Sequence, residues 1–216
     1  MFKRIRDLAA GVGFLMALIL LPTSIVMAEE NSDVAYLSQF DVSEYIELTS
    51  YEQIEVSANK GDTEGIHNDI GEYLESRSDL KKELPQAFVD RNTEILKKQL
   101  QSYADQYKIS LSEFMKFYDK EITENTCQDY IEDMGMTYCK KLAAFQAVAD
   151  KEGIEVTDEE LNKYLDAQAF LAGYGTVEEY KKVNAFDAEE IREVLLSQEV
   201  LKFLESKVVY EIPEKE

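Results

Sequence analysis

The chain has few of the residues from which catalytic and metal centres are built. Its 216 residues include one histidine, His67, two cysteines and no tryptophan. A zinc site takes several histidine or cysteine ligands, and Ser-His-Asp catalysis would have to use His67, which we expect on the surface near a helix start. The sequence also lacks a Gly-x-Ser-x-Gly elbow and a glycine-rich phosphate loop. We therefore expect no enzyme activity, no catalytic residue, no metal and no cofactor.

Cysteine is too scarce for a disulfide framework, and its spacing disfavours even one bridge. Cys127 and Cys139 lie twelve residues apart in one predicted helix. That spacing separates them by about 18 Å along the helix axis, whereas a disulfide requires Cα atoms within about 7 Å. We predict no intramolecular disulfide. Cys127 falls on the apolar side of the helix as a small core residue, and Cys139 lies off it, where it could pair with another chain.

Proline and glycine, which interrupt helices, are also scarce, with three and nine residues. From Pro85 onward, apolar residues recur every three or four positions, as on the buried side of a helix. We predict a mainly α, elongated multi-helix domain with splayed arms, plus one or two short β-strands near its termini.

The predicted strands flank this helical body. Residues 45–56 alternate apolar with polar side chains, and residues 208–212 do so again. These terminal strands could pair with each other. A helix is predicted over 66–80, and residues 29–40 are expected to be a mobile polar tail.

The first 28 residues have the composition of an export signal. Basic residues within 3–6 precede an apolar run over 8–21, and small residues follow at 26–28. The apolar run would make about 21 Å of helix, short of a hydrocarbon core of about 30 Å, so a cleaved signal peptide is favoured over an uncleaved membrane anchor. We predict export to the cell envelope or beyond. The predicted domains are the signal peptide 1–28, a tail and strand segment 29–62, a helical domain 63–213 and a charged tail 214–216.

Positive charge is the scarcer sign throughout. The chain has 23 basic and 44 acidic side chains, for a net charge of −21. Such a charge repels nucleic-acid phosphates and anionic membranes, so we expect neither as a partner beyond the signal peptide itself. It also keeps a protein with exposed apolar surface soluble.

The boundary between two long helices carries the most specific local pattern. Gly153 can take the left-handed conformation that ends one helix, and Thr157 with Glu160 forms a capping box for the next. Further caps are predicted at Ser110, Thr123, Thr176 and Asp187.

Several segments in this order resemble the C-terminal chaperone domain of trigger factor. They are Leu84-Pro85, the SLSEF run at 110–114, the KEGIEVTDEEL run at 151–161, the QEVLKFL run at 198–204 and the VVYEI run at 208–212. In outline, the helical domain also resembles the peptide-binding portion of periplasmic chaperones of the SurA type. The resemblance implies an ATP-independent chaperone, a holdase, that binds unfolded or newly translocated polypeptides.

The chain departs from that family in three ways. We expect an export signal and no N-terminal ribosome-binding domain, and we expect the stretch between Gly61 and Leu84 to be too short for a prolyl isomerase domain. Two other functions stay open. One is an exported adaptor for a single specific partner, and the other is a vestigial peptidyl-prolyl isomerase.

A holdase needs apolar side chains that its own core does not use. Flexible methionines and amphipathic tyrosines suit such tolerant binding. The candidate polypeptide-binding residues are Phe114, Phe117, Tyr118, Met134, Met136, Phe170 and Tyr174. The expected partners are unfolded or nascent polypeptides, and a homodimer is left open.

Overall fold

The computed structural model describes residues 35–183 and 187–210. The predicted signal peptide, residues 29–34 of the predicted tail and the residues after 210 lie outside the described residues. In chain order the elements are two 3-10 turns (Leu37–Gln39 and Val42–Glu44), β1 (Ile46–Glu47), β2 (Ile54–Val56), α1 (Thr63–Arg77), β3 (Asp79–Leu80), α2 (Gln86–Tyr107), α3 (Leu111–Met115), α4 (Cys127–Glu152), α5 (Asp158–Leu171), α6 (Val177–Val183), α7 (Ala188–Glu205) and β4 (Val208–Tyr210). The prediction of a mainly α fold is confirmed.

Most helix boundaries follow the predicted capping residues. Ser110 and Thr157 each accept the backbone N–H of the glutamate three residues on, and Glu113 and Glu160 accept the N–H of their capping residue in return. Gly153 ends α4 with a φ of 70°, in the left-handed region that glycine enters without a steric penalty. The predicted break and restart around Gly153 are therefore confirmed.

The last two helices also start at their predicted caps, whereas the longest one does not. Thr176 Oγ1 accepts the N–H of Glu179 at 3.1 Å, and Asp187 accepts two backbone N–H groups of α7. The prediction of Thr123 as the cap of the long helix is wrong. Its backbone N–H donates to Thr126 Oγ1 at 3.0 Å in a turn, and α4 begins only at Cys127.

Two small sheets tie the ends of the chain to the helices. β2 pairs with β4 in parallel, with Ile54 opposite Val208, which confirms the predicted pairing of the terminal strands. β1 pairs with β3 in antiparallel fashion, with Ile46 opposite Leu80. The helix predicted over 66–80 therefore stops at Arg77, because the residues after it form β3 instead.

The buried apolar residues form two clusters that share α2 and α4. The larger cluster lies between α1, the first half of α2, the second half of α4, α5, α7 and the strands. The smaller cluster lies between the second half of α2, α3 and the first half of α4. α4 has 26 residues and is therefore about 39 Å long, enough to pass from one cluster into the other.

The two longest helices approach closely where α4 carries a glycine. A Cβ atom built at Gly135 would overlap Thr93 Oγ1 of α2 and would lie 2.9 Å from Thr93 Cβ. Both residues are buried. Gly135 is thus required by the distance between α2 and α4 rather than by backbone conformation.

Three predictions about exposure are wrong. Leu37 lies within the predicted polar tail, yet it is buried in the larger cluster. Cys139 is fully buried and so is closed to another chain, because α4 is covered on that side as well. His67 is buried on α1 and its Nε2 contacts Glu205 at the end of α7. In each case a neighbour distant in sequence covers a side chain that local periodicity leaves on the surface.

Candidate polypeptide-binding surface

Phe114, the first predicted binding residue, lies at the centre of the smaller cluster. It stacks on Tyr103 and Tyr107 of α2, with ring centroids 6.1 and 6.3 Å apart. Phe117 and Tyr118 meet it edge-on. Phe114 is 7% exposed, so the expectation that it is accessible is wrong.

The other two aromatic residues of this group are half-buried. Phe117 and Tyr118 pack against the same cluster, and burial raises the pKa of Tyr118 to about 12. The phenol is therefore neutral over the physiological range. These rings lie at the edge of the smaller cluster, to which α3 contributes the buried residues Phe114 and Met115.

The two methionines lie on different sides of α4. Met134 is half-buried against the smaller cluster, whereas Met136 is 40% exposed. Residues two apart on a helix are rotated by about 200°, which explains the difference. Met136 is accessible to a ligand and Met134 is largely committed to the fold.

The most exposed apolar side chains lie on α5 and α6. Phe170 is 80% exposed and Leu171, the last residue of α5, is 77% exposed; Val183 at the end of α6 is 65% exposed. Leu165 and Ala169 of α5 are buried, so one side of this helix packs against the protein and the other exposes apolar side chains to solvent. We call the adjacent residues Phe170 and Leu171 the apolar tip. Sequence reasoning identified Phe170 but missed Leu171 and Val183.

A local turn fixes the position of the apolar tip. Tyr174 N–H donates to Ala169 O at 2.9 Å and Gly173 N–H donates to Phe170 O at 3.0 Å, with Gly173 at a φ of 83°. This pattern is a Schellman motif, which ends a helix with a glycine in the left-handed region. Tyr174 then contacts Tyr180 of α6, with ring centroids 5.4 Å apart, so the predicted residue Tyr174 joins the turn to α6.

After the acidic first turn of α5, which holds Asp158, Glu159 and Glu160, the stretch that carries the apolar tip has no net charge. Over residues 162–183, three lysines balance one aspartate and two glutamates. The whole chain has a net charge of −21, so this segment differs from the rest of the molecule in charge as well as in exposed apolar area. An exposed apolar patch with little charge is typical of a surface that binds another polypeptide.

The described part of the chain shows no feature of a metal site or a membrane span. Within residues 35–183 and 187–210, no group of three or more histidine, cysteine, aspartate or glutamate side chains could hold a metal ion. In the same residues, no helix is both long enough and apolar enough to cross a membrane. The polypeptide-binding role of the seven predicted residues stays a prediction.

Comparison with solved structures gives three matching chains, two of which are described below. One is a structure of domains of trigger factor from Thermotoga maritima, with 20% identity, a TM-score of 0.48, and coverage of 74% of this chain and 94% of that one. The other is a structure from work on promiscuous substrate recognition by the trigger factor chaperone, with 19% identity, a TM-score of 0.39, and coverage of 65% of this chain and 32% of that one. No curated protein matches the chain.

The family that matches is described as the bacterial trigger factor protein (TF) C-terminus, and the match extends over residues 49–211. That range includes all seven described α-helices and β4. The chain belongs to the bacterial trigger factor C-terminus family.

Proposed function

We propose that this protein is an extracytoplasmic, ATP-independent holdase that binds segments of unfolded or newly translocated polypeptides at the apolar tip. Membership of the trigger factor C-terminus family supports chaperone-like binding of polypeptides. The observation that carries the proposal is the exposure of Phe170 and Leu171 at the end of α5. Side chains of this kind are normally covered, and α5 has the length and the turn to present them.

The apolar area of the apolar tip suits weak binding of polypeptide segments with different sequences. Covering a Phe- or Leu-sized side chain is worth about 1.5–3 kcal/mol, and Phe170 and Leu171 retain most of that area. Together they supply about 3–5 kcal/mol before the costs of association, which corresponds at best to a dissociation constant near the millimolar range. A client is therefore held by several such contacts at once and is released without energy input. Met136 on α4 offers one further accessible contact.

The charge of the chain supports the remaining parts of the proposal. The acidic surface outside 162–183 opposes aggregation of a protein–client complex, and it disfavours nucleic acid and anionic membranes as partners. The export signal in residues 1–28 motivates a location outside the cytoplasm. A homodimer stays open within this proposal, because the apolar tip of one copy could cover that of another.

Aggregation of unrelated denatured proteins tests the proposal directly. At near-stoichiometric ratios, the protein should suppress light scattering by at least three chemically denatured proteins without ATP. The double variant Phe170→Ser/Leu171→Ser should lose most of that suppression. Val209→Ser is the matched control, since Val209 is also exposed but belongs to β4, which pairs with β2. Equal suppression by the double variant and the wild type would refute the assignment to the apolar tip.

The same assay separates the holdase from its alternatives. Suppression of none of the denatured proteins, together with tight capture of one partner, would favour an adaptor. Acceleration of a proline-limited refolding reaction by catalytic amounts of the protein would favour an isomerase. The holdase predicts neither outcome.

A further inference from the structure

Residues Tyr36–Val42 cross the surface of α2 and α7 before the first strand, and we call them the strap. The backbone N–H of Leu37 donates to Glu193 Oε1 of α7 at 2.7 Å. The hydroxyl of Tyr36 donates to Asp187 at the start of α7. The ring of Phe40 lies edge-on to Phe88 of α2, with centroids 5.6 Å apart. The strap thus spans the groove between α2 and α7.

A buried ion pair lies beneath the strap. Arg91 of α2 pairs with Glu193 of α7, and their side chains are only 15% and 10% exposed. The Tyr36 ring covers the guanidinium, with its centroid 4.1 Å from Arg91 Cζ. Among the described residues, Arg91 Nε and Nη1 are buried without a hydrogen-bond partner. The floor of the groove therefore combines an apolar part with donors and acceptors that a polypeptide segment can use.

The strap contacts the helices without pairing as a β-strand. Its backbone hydrogen bonds within the described residues are local turns, apart from the bond from Leu37 to Glu193, and neither small sheet includes it. Two of its apolar residues are buried in the larger cluster: Leu37, and Val42 in the second 3-10 turn, which contacts α4. Tyr36 covers the Arg91 guanidinium, and the next residue, Leu37, is buried while its N–H donates to Glu193.

The charges around the groove oppose tight closure. Glu190 and Glu193 of α7 both act on the guanidinium of Arg91, and Glu190 in turn is acted on by Asp187 and Lys98. Burial raises the pKa of the Glu190 carboxyl above its ordinary range, because the closed groove hydrates this carboxylate poorly. Hydration of these carboxylates when the strap leaves offsets part of the lost contacts.

We propose that the strap is a releasable plug of a second polypeptide-binding groove between α2 and α7, whose ligand is a polypeptide segment with adjacent aromatic and aliphatic residues. The inference rests on the proposed function, because it makes this groove a further contact for the same clients. In the structure the groove is occupied by the chain's own strap. We expect the client segments that replace the strap to have the same types of residue.

A reversible crosslink tests the plug. The variant Ser38→Cys/Glu189→Cys places two thiols where Ser38 Oγ and Glu189 Oε2 lie 3.4 Å apart, and the native cysteines are buried and free. A short bis-thiosulfonate reagent then ties the strap to α7, and reduction releases it. The ligand is a labelled peptide with the sequence of residues 35–44. Binding should fall at least tenfold on crosslinking and return on reduction, while Ser38→Cys alone with the same reagent should bind as before.

Hydrogen exchange supplies an independent readout. The amide of Leu37 should exchange at least tenfold faster than that of Phe145 in native conditions, because local release of the strap exposes it. Equal exchange at the two amides, or equal peptide binding before and after crosslinking, would overturn the inference. Both results are separate from the aggregation assay with Phe170 and Leu171, whose failure would overturn the proposed function instead.

Discussion

Substitution of Gly135 by alanine tests whether the contact between α2 and α4 holds the two clusters together. The added Cβ would lie 2.9 Å from Thr93 Cβ. Rotation of the threonine side chain can move its Oγ1 and Cγ2 but not its Cβ, so the helices themselves must separate. Overpacking of this kind costs about 1–3 kcal/mol, and the rigid Cβ contact favours the upper end of that range.

Helix propensity acts in the opposite direction. Alanine in place of glycine in a helix interior gains about 1 kcal/mol, so the net loss expected for Gly135→Ala is about 2 kcal/mol. For a chain of this size, that loss lowers the melting temperature by about 4–8 °C. Urea denaturation followed by circular dichroism at 222 nm measures the free energy of unfolding.

Gly71 provides the matched control because it is also a buried helical glycine but has room for a methyl group. A Cβ there would lie 3.8 Å from Lys141 Cδ and 3.9 Å from Phe145 Cζ, so Gly71→Ala should stabilise the protein by up to about 1 kcal/mol. Thr93→Ala in the Gly135→Ala background should restore part of the loss. The reasoning is refuted if Gly135→Ala is as stable as the wild type, or if both alanine variants lose equally.

Three further outcomes follow from buried or capping groups. Glu190→Gln should stabilise the fold at pH 7, because burial raises the pKa of the Glu190 carboxyl in the folded protein and its ionised form therefore destabilises the fold. As the pH falls through the folded pKa towards the unfolded value, the wild-type carboxyl is protonated and this penalty disappears. The difference in free energy of unfolding between the variant and the wild type should therefore vanish near pH 4. Cys139 should not react with a thiol reagent at pH 8 in the native state, because burial raises its pKa to about 12; labelling as fast as in urea would contradict its position. Thr157→Ala should cost about 1 kcal/mol through loss of the capping box of α5, and a change below 0.3 kcal/mol in the same denaturation assay would show that the cap contributes little.

Sequence reasoning predicted the elements whose cause is local. The capping boxes at Ser110 and Thr157 and the stop at Gly153 each depend on a few consecutive residues, and all appear in the structure. β3 could not be predicted in this way. Its two residues are extended because they pair with Ile46 and Glu47, and that partnership depends on where α1 ends in space.

Burial was harder to predict than secondary structure for the same reason. His67 is polar and lies near a helix start, but Glu205 packs against it from the other end of the chain. Leu37 lies in a polar stretch, yet it faces α7. Hydrophobic periodicity averages over neighbours along the chain and contains no information about such distant partners.

The candidate surface was predicted in part. Phe170 stands beside the glycine break at 173–175, which correctly suggested a helix end, and the structure shows it exposed. Phe114 has the same residue type at a similar distance from a turn, but α3 folds back onto Tyr103 and Tyr107 of α2. Only the direction of the helix after the turn separates the two cases, and the sequence pattern does not specify that direction.

The parallel pairing of β2 with β4 has a kinetic consequence. Ile54 and Val208 are partners across nearly the whole described chain, and α7 supplies Leu196, Val200, Leu201 and Leu204 to the larger cluster. Contacts of such long sequence separation slow folding, since the intervening chain must be ordered first. The larger cluster therefore cannot close until residues 188–210 have been synthesised. Until then the apolar side chains of α1 and α4 that α7 covers in the folded protein stay exposed, so the nascent protein is itself a chain of the kind that chaperones bind.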